Sequence, residues 1–385
     1  MSVLHIYKIF RNSLCLTVTR VWKQVIAHVD LDAFFASVHL KIHPFLKNYP
    51  VIIGSDPQAG KGRGVVSTCS YEARKFGLHS GMPISTAYRQ CPDGIYICSG
   101  REISFTNYHK ESKKVMAILK EYTPIFQSSG LDEAYLDLTQ VWEEYGDTPR
   151  AVAQDIQNRI QNKLSLPISV GIAESKSIAK IGSDLNKPNG IAIVSNTDIP
   201  IKLHALPVRK INGVGKKTEQ VLNRKGLKTI GDIANTTREK IFLLLGDYGL
   251  HLQKVVHGEN YRPVGNFRGE RKSISSERTF RTDQNDWKVI NTKVKDITSK
   301  LVSRLQEYRL LTKTVSIKIR FEGYITYTRS SSFTNYLNDE SAILGKTRYL
   351  LDEFRNSQKK VRLIGVRVSS LKKQGGQTVL TQFLS

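Results

Sequence analysis

The chain has 385 residues and 58 lysines and arginines against 34 acidic residues, a net charge of +24, so its partner is expected to be a polyanion, above all nucleic acid. Its 40% of hydrophobic residues excludes disorder throughout, and no stretch approaches the ~18 apolar residues of a membrane span. Cys15, Cys69, Cys91 and Cys98 form no CxxC pair, which excludes a disulfide scaffold and fits a reducing, cytoplasmic setting.

Residues 1–24 carry four basic side chains and no acid, but their apolar core is too short for a signal peptide; they read as an N-terminal extension or a misassigned start. Val25–Asp32 reads as a buried strand and Ala33–Leu40 as the helix after it. Residues 45–100 are mixed, with a strand at Val51–Ile53, a Gly-rich basic loop at 54–64 and a helix through Tyr71–Phe76. A long amphipathic helix is expected over 101–122 and a strand at Ala134–Leu138. A helix over 150–164, a strand at Ile168–Ile172 and a helix at Ser175–Asn186 follow, the last broken by Pro188 and Gly190. Strands and helices alternating around carboxylates describe an α+β catalytic domain.

Residues 195–260 are helical and short-looped. Within them Gly213 and Gly215, followed by Lys216 and Lys217, form a hairpin between helices that lets the backbone approach a phosphate: a helix–hairpin–helix, which grips DNA without reading its sequence. Residues 261–271 look like a linker. Beyond them the pattern is β-α-β-β-α-β, with strands at Lys272–Phe280, Thr314–Phe321, Tyr324–Phe333 and Val361–Ser369 and helices near 286–308 and 340–356. Val315, Ile317, Ile319 and Phe321 alternate with Ser316, Lys318 and Arg320, giving one apolar and one basic face. Residues 262–373 hold 25 basic and 11 acidic residues, a surplus of 14, which marks this module as a DNA-backbone platform.

The acids that could carry chemistry are Asp30, ending a strand, and Asp132 and Glu133, opening another. Brought together unpaired they would repel and be costly to bury, so they call for cations, and hard oxygen donors suit Mg²⁺. Any one of them alone reads as a surface or capping residue. Tyr71 and Arg74, three apart on one helix face with Thr68 nearby, could clamp a phosphate, and Lys187 could supply a second cation. Gly54–Gly62 is a near-miss for a P-loop and is rejected.

Together these pieces resemble the Y-family translesion DNA polymerases, most closely the DNA polymerase IV type. The likeness rests on Val29–Val38, on Ser67–Gly77, on Leu131–Leu138, on Ser169–Ala173, on Lys187–Gly190, on the hairpin at 211–218 and on Arg271–Phe280, and runs from about residue 25 to the C-terminus. It implies an α+β, multidomain right hand. Its palm is 25–33 with 101–194, its fingers 34–100, its helix–hairpin–helix thumb 195–260 and its β-α-β-β-α-β little finger 272–373. It also implies a low-fidelity, template-directed DNA polymerase that adds dNMP to a primer 3′-OH with two Mg²⁺ and no proofreading exonuclease. Carried over by position, Asp30, Asp132 and Glu133 are catalytic. They and the Leu31 carbonyl hold metal, Phe34, Phe35, Thr68, Tyr71, Arg74 and Lys187 bind the nucleotide, and Phe35 is the gate against ribose. Asp32 and Asp137 are expected to be structural. Gly130 and His39 depart from the family pattern, and His39 with His43 reads as a surface pair. In the tail, 374–385, Gln377, Leu380, Phe383 and Leu384 are similar to the clamp-binding peptides of replication proteins. The expected partners are thus primer–template DNA, dNTPs and a sliding clamp, with the enzyme a monomer and no membrane involved. A structure-specific nuclease and a non-catalytic DNA-binding scaffold are the competing readings; the first leaves Phe34, Phe35 and the helix at 71–75 unexplained.

Overall fold

A computed structural model describes residues 22–98, 105–265 and 270–375. The chain divides into two compact units, one up to Asn266 and one from Phe267 onward. The four clamp-peptide residues, Gln377, Leu380, Phe383 and Leu384, lie outside the described residues.

The first unit is built on a five-stranded sheet of order β5-β6-β1-β7-β8. Its centre is β1 (Ile26–Leu31), flanked antiparallel by β6 (Glu133–Asp137) and β7 (Ile168–Ala173); β5 (Phe126–Ser128) and β8 (Ile191–Val194) form the edges. The apolar run expected from Val25 onward is this central strand, buried on both faces. Side chains on a strand alternate between faces. Ala27, Val29 and Leu31 therefore join one core with Tyr108, Val115 and Ile156 from the helices α4 (Phe105–Lys120) and α5 (Pro149–Leu164). Ile26 faces the other way, into a core shared with Ile178 and Ile181 of α6 (Lys176–Leu185). His28 and Asp30 have the parity of Ile26, so they belong to the α6 side.

Between β1 and α4 lie α1 (Phe34–Ile42) and a three-stranded sheet of order β3-β2-β4, made of β2 (Val51–Gly54), β3 (Val66–Cys69) and β4 (Ile95–Cys98). The helix expected at Tyr71–Phe76 is one turn, α2 (Tyr71–Arg74), capped by the Ser70 hydroxyl, which accepts from the Ala73 amide. A further helix, α3 (Ile84–Gln90), completes this part. Beyond β8, the short helices α7 (Ile199–Lys202), α8 (Lys216–Arg224), α9 (Ile230–Ala234), α10 (Arg238–Leu245) and α11 (Asp247–Val256) close over the α6 core with Leu222, Ile230, Ile241 and Leu252.

The second unit has the expected β-α-β-β-α-β order: β9 (Ser273–Gln284), α12 (Trp287–Glu307), β10 (Leu310–Phe321), β11 (Thr326–Leu337), α13 (Glu340–Asp352) and β12 (Val361–Lys373). Its sheet is antiparallel with order β11-β10-β12-β9. Val315, Ile317, Ile319 and Phe321 pack against Val294, Ile297 and Leu301 of α12. The opposite face carries a groove of about 460 Å³ lined by Ser275, Ser316, Lys318, Ser330 and Arg367, where the Lys318 ammonium is paired with Glu277 at 2.9 Å.

Candidate active site

Asp30 and Glu133 stand directly opposite each other in the β1–β6 register, so both side chains leave the sheet on one face, toward α6. The Leu31 amide donates to the Asp132 carbonyl at 2.8 Å, which ties the two acidic segments together at this corner. Asp132 is the exposed member of the three. Helix α6 can approach because β7 carries Gly171 opposite His28: a Cβ there would sit 2.1 Å from the Ala179 carbonyl oxygen and 2.3 Å from the Ser183 nitrogen.

This close approach brings α6 cations onto the acids. Lys180 Nζ lies 2.6 Å from Glu133 Oε1, and Lys187 Nζ, just past the helix, lies 2.7 Å from Asp30 Oδ1 and 2.8 Å from Asp184. On the other side of Glu133, buried His28 directs Nε2 at Oε2 across 3.6 Å, while its Nδ1 meets Ser183 Oγ at 2.8 Å. The electrostatics diverge accordingly. Burial pushes the Asp30 carboxyl up to about 7 against the pull of Lys187. His28 and Lys180 hold Glu133 down to about 2 although it too is partly buried. Partial desolvation at the sheet corner and the adjacent Glu133 charge raise the Asp132 carboxyl, although it is the most exposed of the three. Burial alone would lower Lys187, but Asp30 and Asp184 outweigh it and raise its ammonium. Among the described residues no three acidic, histidine or cysteine side chains close round one point.

Asp32, 1% exposed, is a structural hub, as expected. Its carboxylate accepts from Ser169 Oγ at 2.9 Å, from the Asn189 amide at 2.7 Å and from the Tyr71 hydroxyl at 3.3 Å. It thereby fixes the turn carrying Lys187 and the turn carrying Tyr71 to the end of β1. Arg74 is exposed and stacks over the Tyr71 ring at 4.5 Å. Thr68 is buried on β3, opposite Ile53. Tyr71 and Arg74 thus gather at one corner with Lys187, which lies more than a hundred residues further along the chain. Phe34 is buried, and Phe35 beside it is half-buried, with ring centroids 5.5 Å apart.

Gly213 has φ +98°, a left-handed conformation, and Gly215 is the N-cap of α8, whose first residues Lys216 and Lys217 are exposed. The hairpin residue Asn212 lines an open cleft of about 390 Å³ with Glu133, Lys176, Lys180 and Arg262. The cleft joins the hairpin to the acidic corner. Sequence reasoning missed His28, Lys176, Lys180 and Arg262. One expectation is corrected: His39 is no surface residue but 1% exposed, with its ring bonded to Tyr108.

Residues 29–184 match the impB/mucB/samB family model, 196–227 the IMS family HHH motif and 271–380 the impB/mucB/samB family C-terminal domain. The chain belongs to this family of Y-family DNA polymerases. It is 38% identical over 357 residues to DNA polymerase IV of Methanoculleus marisnigri, covering 92% of this chain and 96% of that one. It is 37% identical to DNA polymerase IV 2 of Methanosarcina mazei (94% and 96% covered) and 38% identical to DNA polymerase IV of Listeria monocytogenes serotype 4b (90% and 95%). A solved Y-family DNA polymerase chimera superposes with a TM-score of 0.77 at 27% identity, covering 91% of this chain and 99% of that one.

Proposed function

We propose that this DNA-directed DNA polymerase of the translesion class extends a primer at the Asp30–Glu133 corner, with two divalent cations held by Asp30, Asp132, Glu133 and the Leu31 carbonyl. The observation that carries the reading is the in-register pair Asp30 and Glu133, gathered with Lys187, Tyr71 and Arg74 at one end of the sheet. The donor set suits hard cations such as Mg²⁺, and the lysines now paired with Asp30 and Glu133 mark where positive charge is wanted. When bound, two such cations activate an attacking hydroxyl and neutralise the leaving phosphate oxygen.

The protein's own share is positioning. Lys187 and Arg74 compensate triphosphate charge, Tyr71 and Thr68 offer hydroxyls, and Phe34 with Phe35 shapes the sugar pocket, Phe35 excluding the 2′-hydroxyl. In this reading residues 25–33 and 101–194 are the palm, 34–100 the fingers, 195–260 the thumb and 272–373 the little finger. Gly213, Gly215, Lys216 and Lys217 grip the DNA backbone, a role supported by their exposed positions in the hairpin and the first turn of α8. The enzyme works as a monomer on dNTPs with low fidelity and no exonuclease, and the tail residues Gln377, Leu380, Phe383 and Leu384 bind a sliding clamp.

A primer-extension assay with Mg²⁺ and dNTPs tests the core of this. Extension by discrete nucleotides supports it; degradation of the primer indicates the nuclease, and binding without either indicates a scaffold.

A further inference from the structure

Steric selection works only as well as the selecting group is held. An aromatic ring that retreats by a fraction of an ångström relieves the overlap on which exclusion of a 2′-hydroxyl depends. The ring of Phe35 is held from one side by Tyr108 of α4, with centroids 4.3 Å apart and planes 31° apart, and Phe105 meets it edge-on at 5.9 Å. Tyr108 is fully buried, and a buried phenol needs a partner for its hydroxyl. His39 Nε2 lies 2.8 Å from it. His39 sits one turn after Phe35 on α1, so the same helix that carries Phe35 also anchors the far end of the ring behind it. Burial and the nearby His43 hold the His39 imidazole down to about 4, leaving a neutral hydrogen-bonding partner.

We propose that His39 and Tyr108 are positioning residues for sugar discrimination: the His39–Tyr108 hydrogen bond fixes the tyrosine ring, and the ring fixes Phe35 against the nucleotide's C2′ edge. This rests on the reading of Phe35 as the sugar gate. The bond acts on selectivity, because a general loosening of the site lowers the use of both sugars together, whereas a retreating gate favours ribose alone.

The test is single-nucleotide incorporation opposite one template base, with a dNTP and the matching NTP, by the full chain on primer–template DNA. The readout is the ratio of the two kcat/KM values. Tyr108→Phe keeps the ring and removes the bond; His39→Ala removes the partner; His39→Gln restores a donor and acceptor at the reach of Nε2. Loss of one hydrogen bond predicts that Tyr108→Phe and His39→Ala each lower the ratio about three- to tenfold. His39→Gln is expected to recover most of it. Phe35→Ala is expected to lower the ratio further, with Tyr108→Phe adding nothing in that background. If Phe35→Ala collapses the ratio while Tyr108→Phe and His39→Ala leave it at the wild-type value, the gate stands and the positioning role is overturned. If Phe35→Ala itself leaves the ratio unchanged, the gate reading fails and this inference with it.

Discussion

Asp30 and Glu133 are chemically alike and face each other across one pair of strands, yet their environments drive them apart, one up to about 7 and the other down to about 2. Half-buried Asp30 has one lysine against the cost of desolvation, whereas Glu133 lies between His28 and Lys180. Replacing Asp30, Asp132 or Glu133 by Ala is expected to reduce primer extension at least ~100-fold, because each change removes charge from the corner proposed to hold the cations. DNA affinity, measured by fluorescence anisotropy, is expected to stay near wild type, since the lysines proposed to grip phosphate are untouched. Metal-dependent extension at near wild-type rate in any of the three variants would sink the assignment. The three acids were legible in the sequence because they end or open strands. Their partners were not, since nothing in the local pattern around Lys180 or His28 says that α6 will lie across β1. For the same reason His39 looked like half of a surface pair: its burial comes from α4, some seventy residues away.

At the scale of the element, legibility followed length and period. The continuous apolar run of β1, the alternation in β10 and the Pro188–Gly190 break after α6 each announced their structures. The strands β3, β4, β5 and β8 span three or four residues each, too few for a period to show, and their pairing is settled by the sheets they join. At Gly171 the backbones of β7 and α6 meet with no room for a side chain. Gly171→Ala would drive a methyl into the α6 backbone, which cannot give as a flexible side chain can. It is expected to destabilise the protein by about 1–3 kcal/mol in chemical denaturation. It should also weaken extension beyond its effect on stability, by pushing Lys180 away from Glu133. A variant as stable as the wild type would show that the helix has room to move outward.

Over the whole molecule, charge is distributed by task. Of the net +24, a surplus of 14 belongs to residues 262–373, so much of the grip on DNA is expected outside the unit that carries the acids. In the proposed reading the tail from 377 adds an attachment of another kind, in which a weak peptide contact would raise the local concentration of enzyme at a primer end. Deleting 377–385 is expected to leave unassisted extension nearly unchanged and to abolish stimulation by a sliding clamp; equal stimulation of the truncated and intact enzymes would reject the clamp peptide. The whole molecule also inherits a property from the pairs Lys187–Asp30 and Lys180–Glu133. Because Asp30 and Glu133 are already paired with the chain's own ammonium groups, the fold is expected to hold without bound metal. A chelator should therefore silence the enzyme without melting it: the transition temperature holds while extension stops, and activity returns in full when Mg²⁺ is restored.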